Sequence, residues 1–208
     1  MNIVIKNYTK KIKNNFVLKD INYEFKTGNI YGLIGKNGSG KTMLLKAIAS
    51  FLHPTEGNVY IDNIDIYKKD YIPNNIGVSF SNPDFMHELS GYENLEYLAN
   101  IRKIIGDEEI KKAVSHVNLV DDIDKKVKEY SLGMKQKLEL AQAFMENPKI
   151  LLLDEPFNGL DKESIKIVKN YLKKIKNDTI IIIATHYKED IEHFCDIIVK
   201  LENGEIIK

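Results

Sequence analysis

Two short stretches of this chain place residues that do chemistry at the spacings that chemistry requires. The first is GKNGSGKT, residues 35–42, which follows the apolar run IYGLIG and precedes MLLKAIASFL. Glycine, four residues, then Gly-Lys-Thr between a strand and a helix is a phosphate-binding pattern, and the match is a strong one. Gly35, Gly38 and Gly40 let the backbone curl so that successive N–H groups point inward, and the helix N-terminus adds positive potential. Lys41 would reach the β- and γ-phosphates and Thr42 would ligate Mg²⁺, with Lys36, Asn37, Ser39 and Met43 completing the phosphate-binding segment. The second stretch is ILLLDEP, residues 150–156. Four apolar residues form a buried strand whose end presents Asp154, placed to hold Mg²⁺ through water, and Glu155, placed to polarise an attacking water.

A phosphate loop with a carboxylate pair is common to kinases, GTPases and ATP motors. No Asn-Lys-x-Asp element for reading guanine is present, which weakens the GTPase option. A third stretch bears on the choice: KEYSLGMKQKLELA, residues 128–141, has Ser131 and Gly133 at the start of a Lys-studded amphipathic helix. Ser131 is a good N-cap residue. A hydroxyl on flexible backbone at a helix N-terminus is equally suited to an anion, because both uses share one geometry.

These residues need a scaffold, and the alternation of apolar residues outlines it. NIVIKNY and FVLKDINYEFK read as strands, followed by a turn at 27–29, the strand 30–35, the phosphate loop and a helix. NVYID and IGVSF are further short strands. From about 84 to 147 the pattern turns helical, in ENLEYLANIRKII, EEIKKAVSHVNLV and KQKLELAQAFM, and this segment reads as an insertion. ILLLD and TIIIIAT, separated by a helix near 162–174, are apolar without alternation, as strands of a parallel sheet covered on both faces are. The chain ends in a hairpin turned at Asn203-Gly204. With no repeat and no linker, residues 1–208 form one α/β domain with an internal helical subdomain.

Composition narrows the function classes. Thirty basic residues balance thirty acidic ones, so no global charge suggests wrapping nucleic acid, and no nucleic-acid partner is expected. Apolar residues make up 43% of the chain, enough for a buried core. One cysteine, Cys195, allows no internal disulfide, which fits a reducing compartment. The most apolar runs are far shorter than the roughly 20 residues a membrane-spanning helix requires, and the N-terminus lacks the pattern of a signal peptide. A cytoplasmic protein is expected.

The order of phosphate loop, helical insertion, Ser-x-Gly turn, LLLDEP, Gly-Leu-Asp and Thr-His resembles the ATP-binding-cassette (ABC) ATPases across essentially the whole chain. The resemblance implies a phosphate-loop NTPase fold: a RecA-like parallel core, an N-terminal antiparallel β subdomain and an inserted helical subdomain. It implies ATP and Mg²⁺ as cofactors. In that family the serine-glycine turn binds the γ-phosphate of ATP held by the other subunit of a head-to-tail dimer. Tyr130-Ser131-Leu132-Gly133-Met134 matches the serine and second glycine of the usual Leu-Ser-Gly-Gly-Gln, with Leu132 and Met134 departing from it. Asp161, in Asn158-Gly159-Leu160-Asp161, looks like part of the dimer-contact loop, and His186 matches the histidine that senses the γ-phosphate. Lys41, Glu155 and His186 are then the catalytic set. His53, His87, His116 and His193 lack such context, and Asp121, Asp122 and Asp124 read as a solvated surface. Ser81 stands where the family usually has glutamine, and Ile12 near its usual adenine-stacking aromatic, with Tyr8 and Phe16 flanking as substitutes.

The same resemblance implies the ATP-hydrolysing subunit of a membrane transporter, most like the exporter-type ATPases of drug, peptide-antibiotic and lantibiotic-immunity systems. Its partners would be transmembrane permease subunits and a second ATPase subunit, in a homodimer, on the inner face of the cell membrane. Residues 85–95 are the expected docking surface. Two other classes stay open on the residues: a soluble ATP switch acting on ribosomes or DNA, and a small-molecule kinase whose Ser131 turn is only a cap.

Overall fold

The computed structural model describes residues 1–68, 71, 73–80 and 84–207. Two sheets organise the chain. The first is antiparallel, in the order β2 (Asn15–Lys26), β1 (Asn2–Ile12), β4 (Glu56–Ile61), β5 (Ile64–Asp65). The second runs β10 (Glu205–Ile207), β9 (Ile197–Glu202), β3 (Ile30–Ile34), β8 (Ile180–Thr185), β7 (Ile150–Asp154), β6 (Ile76–Ser79). Every pairing in the second sheet is parallel except the β9–β10 hairpin at its edge. The hairpin turns on Asn203 and Gly204, both at positive φ (49° and 80°), which an Asn-Gly pair accepts at little cost.

Every residue of β7 and β8 is buried. Alternate side chains leave opposite faces of a strand. Leu151, Leu153, Ile181 and Ile183 join the core cluster on one side, while Ile150, Leu152, Ile180 and Ile182 join the other. Helix α1 (Lys41–Ile48) packs in the second cluster with strands of the antiparallel sheet. The inserted segment supplies α2 (Gly91–Arg102), α3 (Asp107–Ser115) and α4 (Leu132–Phe144), joined by short 3₁₀ turns at Val120–Asp122 and Val127–Glu129, and α5 (Lys162–Ile175) follows β7. Leu95, Ile110, Val114 and Leu138 of that segment share the first cluster with β7 and β8, so the insertion rests directly on the parallel sheet.

Three differences from the sequence reading have physical reasons. NVYID begins two residues earlier, at Glu56, because Glu56 pairs with Thr9 of β1 beyond a register shift, at which Gly57 takes φ 79° and leaves no room for a Cβ beside the Asn7 carbonyl. The short strand β5 goes unread in the sequence: its hairpin turns on Asp62 and Asn63 at φ 47° and 66°, left-handed positions that Asp and Asn tolerate without glycine. Helix α2 stops at Arg102, short of the apolar Ile104 and Ile105, because Lys103 adopts φ 56° and caps it. Ser81, the glutamine-position residue, lies outside the described residues.

Candidate active site

The parallel sheet brings the chemical residues together. In register, Ile34 of β3 sits opposite Thr185 of β8, and Asp154 of β7 opposite Ala184, so the phosphate loop, the carboxylate pair and His186 leave three adjacent strands at one end. Ligands of open parallel sheets bind there, outside the carboxyl ends of the strands.

The phosphate loop needs its glycines for different reasons. Gly38 and Gly40 stand at φ 80° and 106°, and a Cβ on Gly35 would lie 2.3 Å from the Leu201 carbonyl. Gly40 caps α1, whose first N–H groups have no intrahelical acceptor. Lys41, only 6% exposed, donates to the carbonyls of Gly35 (2.7 Å) and Lys36 (3.3 Å). The Ser39 hydroxyl is buried with no hydrogen-bond partner among the described residues. A cleft of 570 Å³ opens over this loop, lined by Phe16, Val17, Asn37, Gly38, Gly40, Lys41, Thr42, Met43, Asp154 and Glu155. Inward backbone donors, an ammonium and an apolar wall at Phe16 and Val17 suit a nucleoside polyphosphate.

Thr42 Oγ1 donates to Asp154 Oδ2 at 2.5 Å. Burial pushes the Asp154 carboxyl up from its ordinary value, against the pull of the Thr42 hydroxyl, and Glu155 next to it pushes the same way. A hydroxyl and a carboxylate meeting at the phosphate loop form the hard-oxygen pair that Mg²⁺ takes alongside phosphate and water.

Glu155 leaves β7 in a left-handed conformation, φ 50°, with its N–H on the Ala184 carbonyl at 2.8 Å. Its carboxylate is held from β8. Oε2 accepts from the Thr185 hydroxyl at 2.8 Å; Oε1 accepts from the His186 N–H at 3.0 Å and lies 2.6 Å from His186 Nδ1. The two catalytic residues expected from sequence are therefore in direct contact. His186 also lines a neighbouring cleft with Gly35 and Lys36 of the phosphate loop.

The residues of the serine-glycine turn sit elsewhere. Ser131 caps α4, accepting from the Met134 N–H at 3.2 Å, and Gly133 is required because a Cβ there would lie 2.4 Å from the Gly159 carbonyl. Neither lines the phosphate-loop cleft. Asp161 caps α5 through Ser164 N–H (2.8 Å) and Oγ (2.6 Å) and pairs with Lys137 Nζ at 3.1 Å. The Ser164 hydrogen bonds and Lys137 hold its carboxyl far below the usual range, so it serves its own chain's loop and ties it to α4. Of the proposed stacking residues, Tyr8 is excluded: its ring is fully buried and its hydroxyl donates to the Leu52 carbonyl at 2.5 Å. Ile12 is not among the cleft's lining residues, whereas Phe16 is half-exposed there with Lys11 Nζ 4.4 Å from its ring centre.

Sequence reasoning passed over two residues. Thr185 is one: the Thr-His order marks its position, but nothing in TIIIIAT assigns its hydroxyl a role. Glu139 is the other: it is 3% exposed in α4 and lines a cavity of 380 Å³ together with Glu155. Burial, reinforced by the Asp154 charge, pushes its carboxyl up. A glutamate among Leu138, Leu140 and Ala141 was the available signal.

The family model for ABC transporters matches residues 18–158, from β2 past the carboxylate pair. The chain is 42% identical over 205 residues to the uncharacterized ABC transporter ATP-binding protein YybJ of Bacillus subtilis (strain 168), covering 98% of this chain and 94% of that one. This chain belongs to the ABC transporter ATP-binding proteins. Another member, the bacitracin transport ATP-binding protein BcrA of Enterococcus faecalis, is 37% identical over 215 residues, covering 99% of this chain and 68% of BcrA. Among solved structures, the dimeric bacterial ABC transporter cassette MJ0796 superposes with a TM-score of 0.89 at 28% identity, covering 99% of this chain and 97% of that one. A dimeric post-hydrolysis state of the same cassette, bound to ADP and Pi, gives 0.87 at 27% identity over 99% and 97% of the two chains. This ABC subunit is an ATPase, with the fold expected from its sequence, and the phosphate loop and carboxylate pair occupy the end of the sheet that such chemistry requires. No helix among the described residues is long and apolar enough to cross a membrane.

Proposed function

We propose that this ABC subunit drives export across a membrane, hydrolysing ATP in a head-to-tail dimer whose two sites each take residues from both copies. The observation that carries the reading is the convergence of Lys41, the Thr42–Asp154 pair and the Glu155–His186 pair at the ends of adjacent strands, with Ser131 and Gly133 outside that cleft. A site that holds the phosphates yet leaves its second anion-binding turn facing elsewhere is completed by a second copy.

In this mechanism the loop N–H groups and Lys41 hold the β- and γ-phosphates, and Phe16 provides the wall for the base. Thr42 and Asp154 would hold Mg²⁺, which when bound neutralises charge on the phosphate oxygens. Glu155 takes a proton from the attacking water, and His186, held against Glu155, orients toward the γ-phosphate. Ser131 of the second copy, at the N-terminus of α4, closes the site over the γ-phosphate. Release of phosphate removes the shared anion and lets the dimer reopen.

The permease would dock on the inserted segment. Met86, Tyr97 and Ile101 are exposed there, the last at 69%, and a groove of 310 Å³ lined by Phe85, Met86, Tyr97 and Leu98 runs beside them. This apolar strip overlaps the expected docking segment 85–95 at Phe85 and Met86 and continues past it to Tyr97 and Ile101, which supports membrane subunits as partners and with them a position on the inner face of the membrane. BcrA is a bacitracin transport ATP-binding protein, and a peptide antibiotic or similar amphiphile is the matching substrate class.

The test is Glu155→Gln studied by size-exclusion chromatography with light scattering. ATP with Mg²⁺ should convert it from monomer to dimer while turnover is lost, and Lys41→Ala should weaken ATP binding and stay monomeric. Wild-type turnover by Glu155→Gln would remove the general-base assignment.

A further inference from the structure

Thr185 closes β8 with its side chain fully buried, opposite Ile34 at the root of the phosphate loop. Both hydrogen-bonding capacities of its hydroxyl are in use. Oγ1 accepts from the Tyr187 N–H at 3.1 Å and donates to Glu155 Oε2 at 2.8 Å. The two contacts are complementary: with the acceptor side taken by a backbone N–H, the hydroxyl proton is directed to the carboxylate. Threonine is β-branched and stiff at χ1, and strand pairing with β3 fixes its backbone, so this donor moves little.

Glu155 needs such a donor. Its side chain rotates about three bonds from a backbone position past the end of β7, at φ 50°. The His186 N–H and ring hold only Oε1. A single-point attachment leaves the carboxylate free to rotate about that oxygen. Thr185 on Oε2 sets the plane, and with it the direction of the lone pair that a water must meet.

We infer that Thr185 is a positioning residue for the hydrolytic step: its hydroxyl holds Glu155 in the orientation from which it accepts the water proton. The proton of Thr185 stays on Oγ1 throughout, and no bond to Thr185 forms or breaks. The inference rests on the reading of Glu155 as the group that polarises water. A general base contributes through orientation as well as basicity, so the consequence falls on turnover and not on nucleotide binding.

The experiment compares Thr185→Val, which keeps the β-branched shape and loses the hydroxyl, with Thr185→Ser, which keeps the hydroxyl. Steady-state ATP hydrolysis, equilibrium binding of a non-hydrolysable ATP analogue and the melting temperature are measured on the full chain, with Glu155→Gln alongside. Losing a hydrogen bond to a charged group that matters only in the transition state lowers kcat about tenfold or more. For Thr185→Val that drop is expected with KM and analogue affinity near wild type and a melting temperature only a few degrees lower, from the lost Tyr187 and Glu155 hydrogen bonds, and Thr185→Ser should return kcat to within about twofold. Thr185→Ala replaces the valine variant if valine disturbs folding. A valine or alanine variant that binds the analogue normally and turns over at or above the wild-type rate overturns the inference, as does a serine variant impaired as severely as valine. Wild-type turnover by Glu155→Gln would instead remove the general-base reading itself, so the two failures are told apart.

Discussion

At the residue scale, the aromatic side chains at the edge of the phosphate loop separate binding from stability. Tyr8 and Phe16 flank the same strand end in sequence, yet one is core and the other lines the cleft. Phe16→Ala should weaken ATP binding by about 1–2 kcal/mol, within the range for losing one base-aromatic stack. Nucleotide titration by calorimetry checks this, and equal affinity in wild type and variant would remove Phe16 from the site. Tyr8→Phe should do the opposite. It removes the shorter of two phenol hydrogen bonds to the Leu52 carbonyl, leaving Tyr67 at 3.2 Å, so stability should fall by about 1 kcal/mol while ATP affinity holds. Burial pushes the Tyr8 phenol up to about 12, so it remains a donor at any ordinary working pH.

At the element scale, the placement of α4 decides where Ser131 stands. Strand β6 touches α4 through Gly77, where an added Cβ would lie 2.1 Å from the Ala143 carbonyl and 2.8 Å from a Pro148 ring carbon. Backbone cannot yield as a side-chain tip can. Gly77→Ala should therefore push α4 away from the sheet and cost about 1–3 kcal/mol, the usual range for overpacking, measured by urea unfolding. Retained stability would mean that α4 adjusts without loss. The other end of the insertion is anchored differently: Ser90 and Glu93 form a reciprocal cap on α2, with the Ser90 N–H on Glu93 Oε2 at 2.6 Å. One end of the helical segment is thus set by close backbone approach, the other by local hydrogen bonds.

At the scale of the whole molecule, the proposed functional unit is a pair of chains. Leu132, 74% exposed beside Ser131, and the loop 156–161 lie together on one surface through the contact of Gly133 with Gly159. The Lys137–Asp161 ion pair also links that loop to α4, beside the surface that the proposed dimer offers to a second copy. Ser131→Ala should then impair hydrolysis at both sites of a homodimer. Mixing Ser131→Ala with Lys41→Ala chains gives the sharper measurement. In a mixed dimer one site carries both defects and the other carries neither, so mixing two impaired proteins should recover activity. No recovery, with mixed dimers demonstrated by light scattering, would argue against a site shared between chains.

Much of this was determined by sequence alone, because the chemistry concerned is local. The Gly-x-x-x-x-Gly-Lys-Thr spacing, the carboxylates after ILLL and the Ser131 cap each use residues adjacent in the chain, and strand and helix periods survive without tertiary information. The family follows from the order of those motifs. Long-range geometry was decided only by the fold. Whether Tyr8 or Phe16 faces the nucleotide depends on which side of a bulged β1–β2 pairing each occupies, and register shifts near Tyr8 and Lys10 obscure simple alternation. Asp161 turned to Ser164 and Lys137, because a carboxylate at a helix start satisfies its own backbone first. The three-point hold on Glu155 needed β7 and β8 side by side in one register, and no spacing along the chain could reveal that Thr185, thirty residues away, supplies one of the points.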